Sequence, residues 1–333
     1  MLHYLETDSV DPYYNLAFEE YVLLNRREGD YLLLWQNDNT IVIGRNQNTA
    51  EEINAAFAEQ HNISVVRRIT GGGAVYHDLG NLNYSFITDA EKPEELAVSH
   101  FTGPVVAALR RLGLNAVASG RNDILVNGNK VSGTAQRLEG KRILHHGTLL
   151  FDSDFSVMEQ ALRVKPEKFR SKSAKSIRSR VGNISDFLPD TISLADFWYL
   201  LKANLTDEGL LQEKLREEEL LQVKKIREEK YVTWEWNYGH SPAYQLVNSR
   251  CFSGGILEVR LNVEKGIIQN VLFAGDFLSR RDINPLCEAL RGCQMEKESV
   301  DRVLLSFPLE DYFGCISRQE ICDTICNRED LST

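Results

Sequence analysis

Short apolar runs separated by polar turns dominate the first half of the chain, and helical periodicity interrupts them only at intervals. Asp11-Pro12 has the form of a helix start, an N-cap acid followed by proline at the first helical position. Tyr14, Ala17, Phe18, Tyr21 and Val22 then recur at helical spacing and predict one apolar stripe. Tyr31–Trp35 and Thr40–Ile43 read as strands divided by the turn residues Asn37-Asp38-Asn39, and Gly44-Arg45-Asn46-Gln47-Asn48 reads as a plain solvated turn. Ser64-Val65-Val66 and Ala74-Val75-Tyr76 flank Gly71-Gly72-Gly73, and 77–81 turns the chain into another strand over 82–87. Strand, turn and strand without a helix between them predict antiparallel pairing. A helix is predicted over 104–112, ending at Gly113. Asn127-Gly128 is a two-residue hairpin signal that sets Lys130 at the start of the returning strand. A further strand over 141–151 carries His145 and His146, which alternation sends to opposite faces, so they cannot both ligate one metal without distortion.

Beyond that point the pattern changes. The stretch 163–180 is basic and poor in apolar residues, and reads as a mobile loop suited to an anionic ligand or partner. Helices are predicted over 190–201 and 207–231, the second dense in charge and facing solvent. The segment from Trp234 to Pro242 breaks this pattern and marks a domain junction. Strands over 255–263 and 267–273 and helical stretches near 282–292 and 296–304 then form a small α+β module.

The glycine run is the first candidate for chemistry. Glycine weakens a strand, so three in succession suggest a place where something approaches the main chain closely. Bare backbone N–H groups beside Arg67, Arg68 and His77 would make an anion cradle. The run matches neither the dinucleotide-binding nor the P-loop fingerprint.

Composition narrows the classes. At 333 residues the chain has room for about two domains, and 43% hydrophobic with 26% charged residues is ordinary for a globular protein. A formal charge of -10 argues against a general nucleic-acid binder. No apolar run approaches membrane-spanning length and the N-terminus lacks signal-peptide regions, so the expected location is the cytoplasm, away from membranes. All six cysteines lie at or beyond Cys251, with no CxxC pair among them, which predicts free or buried thiols and no zinc site.

The stretches RRITGGGAVYHDLGNLNYSF, GRNDILVNGNKVSGTAQR and HHGTLLF, in this order, resemble the lipoate–protein ligase A family. DPYYNLAFEEYVL, GRNQN, KSIRSRVGNI and WNYGHSPAY extend the likeness over nearly the whole chain. The resemblance implies an α+β fold: a class II aminoacyl-tRNA synthetase/biotin ligase-like catalytic domain over 1–243 with a mostly antiparallel sheet, then a small α+β accessory domain over 244–333. It implies that lipoate and ATP, with Mg²⁺, give lipoyl-adenylate and pyrophosphate. A lysine of a carrier then takes the lipoyl group and releases AMP. The implied carriers are the lipoyl domains of 2-oxoacid dehydrogenase acyltransferase subunits and the glycine-cleavage H protein, modified by a monomeric enzyme.

By the same resemblance Lys130 is the catalytic cation between the lipoyl carboxyl and the α-phosphate. Arg68, Gly73, Ala74, Val75, Tyr76, Asn122 and Asp123 would bind ATP, Asp123 also being the candidate metal ligand. Gly71, Gly72, His77 and His146 would line the lipoyl pocket, and the 172–180 loop would cover the adenylate. An acyltransferase of the same fold would carry the acyl group on a cysteine thiolate, and no cysteine precedes Cys251. The GRGRxGRxW-like loop of biotin ligases is absent. A non-catalytic lipoate-binding protein is the alternative of another class, set against the retained Lys130.

Overall fold

The computed structural model describes residues 2–90, 93–120, 122–163, 181–207, 209–238, 246–264 and 266–326. The basic stretch 164–180 and the segment 239–245 lie outside them. In chain order, β1 (Leu2–Glu6) leads to α1 (Pro12–Asn25), where the Asp11 side chain accepts from the Tyr13 amide and Pro12 opens the first turn. There follow β2 (Tyr31–Trp35), β3 (Thr40–Ile43), α2 (Thr49–Glu52), α3 (Ala55–Gln60), β4 (Ser64–Arg67), β5 (Val75–His77) and β6 (Asn81–Asp89). Next come α4 (Val98–Arg111), β7 (Ala116–Ser119), β8 (Asp123–Val126), β9 (Asn129–Glu139), β10 (Arg142–Leu150) and α5 (Phe155–Ala161). The chain continues through α6 (Leu194–Asn204), β11 (Leu210–Gln212), α7 (Glu217–Ile226) and α8 (Trp234–Asn237). It closes with β12 (Leu246–Phe252), β13 (Gly255–Glu264), β14 (Ile267–Gly275), α9 (Asn284–Leu290), α10 (Lys297–Leu304), α11 (Leu309–Phe313) and α12 (Arg318–Ile325).

The main sheet has eight strands in the order β11-β1-β2-β6-β10-β9-β8-β7. Only β11, β1 and β2 run parallel to one another, and every other pair in it is antiparallel. Both faces are covered. Leu32 and Leu34 of β2 pack with α4 and α6, while Tyr31, Leu33 and Trp35 pack with α1 and α7. This is why β2 reads as an unbroken apolar run. Each such leucine, fully buried, contributes about 1.5–3 kcal/mol to the preference for this packing.

A small sheet, β4-β3-β5, carries the glycine run between β4 and β5. Here the expected pairing of the strands on either side of 77–81 is corrected. β5 pairs with β3 and β6 pairs with β2 and β10, so the turn passes between sheets. Gly80 makes the passage possible: a Cβ there would sit 2.0 Å from the Asp152 carbonyl oxygen, and its own carbonyl accepts from Phe151 and Asp152.

Other boundaries also move. The helix predicted over 104–112 begins at Val98, with Pro104 inside it. Burial of Phe101, Val105, Val106 and Leu109 against the sheet outweighs the hydrogen bond that the proline removes. The long charged helix predicted over 207–231 is broken. Leu210–Gln212 adds an edge strand to β1, and the helix starts only at Glu217. No helix among the described residues is long and apolar enough to cross a membrane.

The C-terminal part packs α9, α10, α11 and α12 on one antiparallel sheet, β12-β13-β14, around its own core of Leu257, Val259, Phe273, Phe277 and Phe313. Its six cysteines are all unpaired.

Candidate active site

Arg67 ends β4 and is 1% exposed. Its guanidinium donates to the carbonyls of Gly44, Gln47 and Trp236 at 2.9, 2.7 and 2.9 Å, and to Thr49 Oγ1 at 2.7 Å. The backbone amide of Arg67 donates to Asn237 Oδ1 at 2.8 Å. The loop after β3 is therefore no solvated turn, because its carbonyls converge on a buried cation. Burial, with Arg45 and Arg68 adding to it, lowers the Arg67 pKa to about 10, and the group stays protonated at neutral pH. Arg45 of the same loop stacks on the Trp236 ring at 4.6 Å. The part of the predicted junction that is described is thus a structural clasp on the glycine strand.

Arg68 turns the other way. Its guanidinium donates to the carbonyls of Gly71 and Gly73, both at 2.8 Å, and folds the glycine run around itself. Gly72 adopts φ +92°, a conformation that favours glycine. What approaches the run is the C-terminal part of the chain. The Gly72 amide donates to the Phe277 carbonyl at 3.1 Å, and a Cβ on Gly71 would sit 2.5 Å from the Ser279 nitrogen. Gly71 consequently lines neither of the cavities described below. The amides of Gly73 and Ala74 make no hydrogen bond to another described residue, and both border the cavities. Two free N–H groups in succession beside a buried guanidinium form a concavity for an anion.

Lys130 lies just past the hairpin, as the sequence predicts. Asn127 and Gly128 have φ 50° and 85°, the left-handed pair that a type I′ turn requires. The Lys130 ammonium sits 2.7 Å from Asp123 Oδ1, and both side chains are about one-third exposed. Gly133 clears the space for it, since a Cβ there would meet Lys130 Nζ at 3.2 Å. Asn122 supports the strand by donating from Nδ2 to the Thr134 carbonyl at 2.9 Å.

Between these walls lie two adjoining cavities. A narrow one of about 150 Å³ is lined by Leu16, Trp35, Val42, Arg68, His77, Asn83, His146 and Lys130, among others. A wider one of about 850 Å³ is bordered by Gly73 to Tyr76, Asn122, Asp123, Lys130, and Asp276 and Leu278 of the C-terminal part. Both contain Lys130, Gly72, Gly73 and Gly133, so the lysine stands where they meet.

The two histidines of β10 part as alternation requires. His145 is fully buried, stacked on Phe101 at 4.8 Å, with neither ring nitrogen paired to a described residue, and burial holds its pKa well below the usual histidine value. His146 faces the narrow cavity. Its Nδ1 is 2.9 Å from Glu19 Oε1 and its Nε2 is 2.8 Å from Thr70 Oγ1. Glu19 also accepts from Ser85, which in turn accepts from Trp35 Nε1 at 2.9 Å. Burial lowers the His77 pKa to about 3, with Arg68 and His146 adding to the effect.

The structure therefore brings Arg68, Gly72 to His77, Asn122, Asp123, Lys130 and His146 to one site, and leaves Gly71 behind it. Trp35, Asn83, Asp276 and Leu278 line the cavities without having been singled out in the sequence. Thr148 lines them too and shares its strand face with His146, so period-two alternation carried its signal. Among the described residues no cluster of three or more His, Cys, Asp or Glu could hold a metal by itself. The carboxylates that line the wide cavity, Glu52, Asp123 and Asp276, fit a magnesium ion that arrives on a phosphate, because Mg²⁺ takes one or two carboxylates and completes its shell with phosphate and water.

A sheet-backed pair of cavities, with free amides on one wall and a lysine where the narrow one meets the wide one, is the site this fold builds. The family model described as the lipoyl protein ligase A/B catalytic domain matches residues 11–206, and that of the bacterial lipoate protein ligase C-terminus matches 241–325. The chain belongs to the lipoate–protein ligase family. It is 45% identical to the lipoate-protein ligase LplJ of Bacillus subtilis over 320 residues, 95% of this chain and 97% of that protein. Among solved structures, P. falciparum LipL1 in complex with lipoate superposes with TM-score 0.77 at 26% identity, covering 92% of this chain and 95% of that one. A lipoate-protein ligase A bound with ATP gives 0.62 at 27% identity, covering 72% and 98%.

Proposed function

We propose that the protein is an ATP-dependent lipoate–protein ligase, with a catalytic domain over 1–243 of the class II synthetase type and an accessory domain over 244–333. The observation that carries this reading is the position of Lys130 where the narrow cavity meets the wide one, beside the free amides of Gly73 and Ala74. A relative named for lipoate ligation and structural neighbours bound to lipoate and to ATP support a site that takes both ligands, and we assign one to each cavity.

Activation brings two anions together, a carboxylate and the α-phosphate, so the site has to supply positive charge and oriented donors. The lipoyl chain lies in the narrow cavity with His77 and His146 in its wall and Gly72 beside it. ATP takes the wide one, against the free amides of Gly73 and Ala74, along Val75 and Tyr76, with Asn122 and Asp123 opposite. Arg68 holds the glycine run in shape and adds its charge to the same wall. Lys130 binds the carboxylate and the α-phosphate together, a task that suits a compact ammonium. A carboxylate oxygen bonds to the α-phosphorus as the bond to pyrophosphate breaks. The amine of a carrier lysine then attacks the acyl carbon, loses its proton, and AMP departs. Asp123 is the residue that would hold magnesium, which when bound offsets phosphate charge. No cysteine lines either cavity, in keeping with an adenylate and not a thioester. The carriers are lipoyl domains of 2-oxoacid dehydrogenase acyltransferases and the glycine-cleavage H protein.

Lipoate-dependent ATP–pyrophosphate exchange tests the assignment. Lys130→Ala is expected to lower the exchange rate by about 10³-fold, the scale for removing one transition-state donor, with an unchanged circular dichroism spectrum. Exchange within tenfold of the unsubstituted protein would remove Lys130 from the role.

A further inference from the structure

The narrow cavity is apolar in most of its lining, yet its inner end contains buried polar atoms that no described residue pairs. His77 Nε2 and Asn83 Nδ2 are both in this position, on side chains 3% and 2% exposed. A short relay leads to the first of them. Asn15 Nδ2 shares its two N–H groups among three acceptors, the carbonyls of Ser9 and Gln36 and, at 3.0 Å, Asn37 Oδ1, which fixes the orientation of its amide. Asn37 is thereby oriented to donate from Nδ2 to His77 Nδ1, at 3.2 Å. A neutral imidazole that accepts at Nδ1 carries its proton on Nε2. Asn81 Nδ2 lies 3.0 Å from Asn83 Oδ1, and in this orientation the Asn83 amide N–H₂ is left as a donor.

Strand register gives the depth. Trp35 lies opposite Asn83, and Asn83 opposite Thr148. Thr148 Oγ1 accepts from the Gly133 amide, beside Lys130. Asn83 is thus two strand spacings, about 10 Å, from the Lys130 strand. Trp35 and His77 meet edge to face at this end, with ring centroids 6.4 Å apart.

We propose that His77, held as a donor by Asn15 and Asn37, together with Asn83, selects an acyl group that carries acceptor atoms at its far end, the ring sulfurs of a dithiolane, over a plain alkyl chain. This deepens the ligase reading and rests on it. Sulfur is a weak acceptor, but an alkyl tail in the same place leaves both donors buried and unpaired, and that asymmetry sets the selectivity.

The test compares lipoate with cyclopentylpentanoic acid, which keeps the ring and chain and replaces both sulfurs with carbon. Adenylate formation by the unsubstituted protein is expected to favour lipoate by about tenfold in kcat/KM, the scale of one modest hydrogen bond. In His77→Phe the preference should fall to within about twofold, while His77→Gln, which keeps an N–H donor, should retain part of it. Equal use of the two acids by the unsubstituted protein overturns this inference alone, whether or not the variants fold. Activation of neither acid overturns the ligase reading beneath it.

Discussion

Arg67 and Lys130 carry the same charge and are held in opposite ways. Arg67 is sealed in, each arm of its guanidinium already directed at a carbonyl or hydroxyl of the protein. Lys130 has one carboxylate partner among the described residues and stands a third exposed at the meeting of two cavities. The first cation organises the loops on which the site is built, and the second remains available to a ligand. Proximity to a glycine-rich run does not distinguish them; the number of acceptors already committed to each does.

The largest stability effect is expected at Arg67. Arg67→Met keeps the length of the side chain but strands the carbonyls of Gly44, Gln47 and Trp236, and should cost about 3–5 kcal/mol in urea unfolding. A loss below 1 kcal/mol would erase the contrast with Lys130. Gly44→Ala probes the same cage from the other side. Its Cβ would sit 1.9 Å from the Gly72 carbonyl oxygen, so about 1–3 kcal/mol should be lost, with weakened ATP binding.

The buried imidazoles give a pH signature that neither cation shares. His77 and His145 are neutral in the fold with their pKa values lowered by burial, so below about pH 6.5 the unfolded chain binds protons that the folded chain does not. Their contribution is present in full above that pH and is lost as pH falls. Each histidine should lower stability by about 1.4 kcal/mol per pH unit, continuing for His77 toward about pH 3. His77→Phe should flatten the slope of unfolding free energy against pH in that range, and an unchanged slope would show that His77 is not held neutral. The smallest effect is the stability change in Lys130→Ala. A partly exposed ion pair contributes about 0–1 kcal/mol, so loss of exchange activity should come with almost no shift in the urea midpoint.

How much of this was legible in the sequence depended on distance along the chain. The Asn127-Gly128 turn and the Asp11-Pro12 helix start were readable because their chemistry is local. The alternation of β10 correctly separated His145 from His146. The glycines were recognised as a point of close approach, but the approaching group, the backbone from Phe277 to Ser279, is some two hundred residues away in sequence and left no local trace. For the same reason the local pattern at 77–81 suggests two strands of one sheet, whereas β5 and β6 find their partners, β3 for one and β2 and β10 for the other, elsewhere along the chain. Leu210–Gln212 was hidden in a charged segment with helical propensity, and its strand exists because β1 offers it an edge.

The hydrogen bond from the Gly72 amide to the Phe277 carbonyl also bears on the order of assembly. One wall of the cavities joins residues that leave the ribosome far apart in time, and it is the kind of long-range contact whose loop-closure entropy must be met before it stabilises anything. During synthesis the main sheet can form while the glycine run still lacks its partner. Pulse-labelling hydrogen exchange during refolding would accordingly find the Gly72 amide protected later than the amides of β6 and β10. The pocket that would hold a reactive adenylate is then among the last parts of the protein to close.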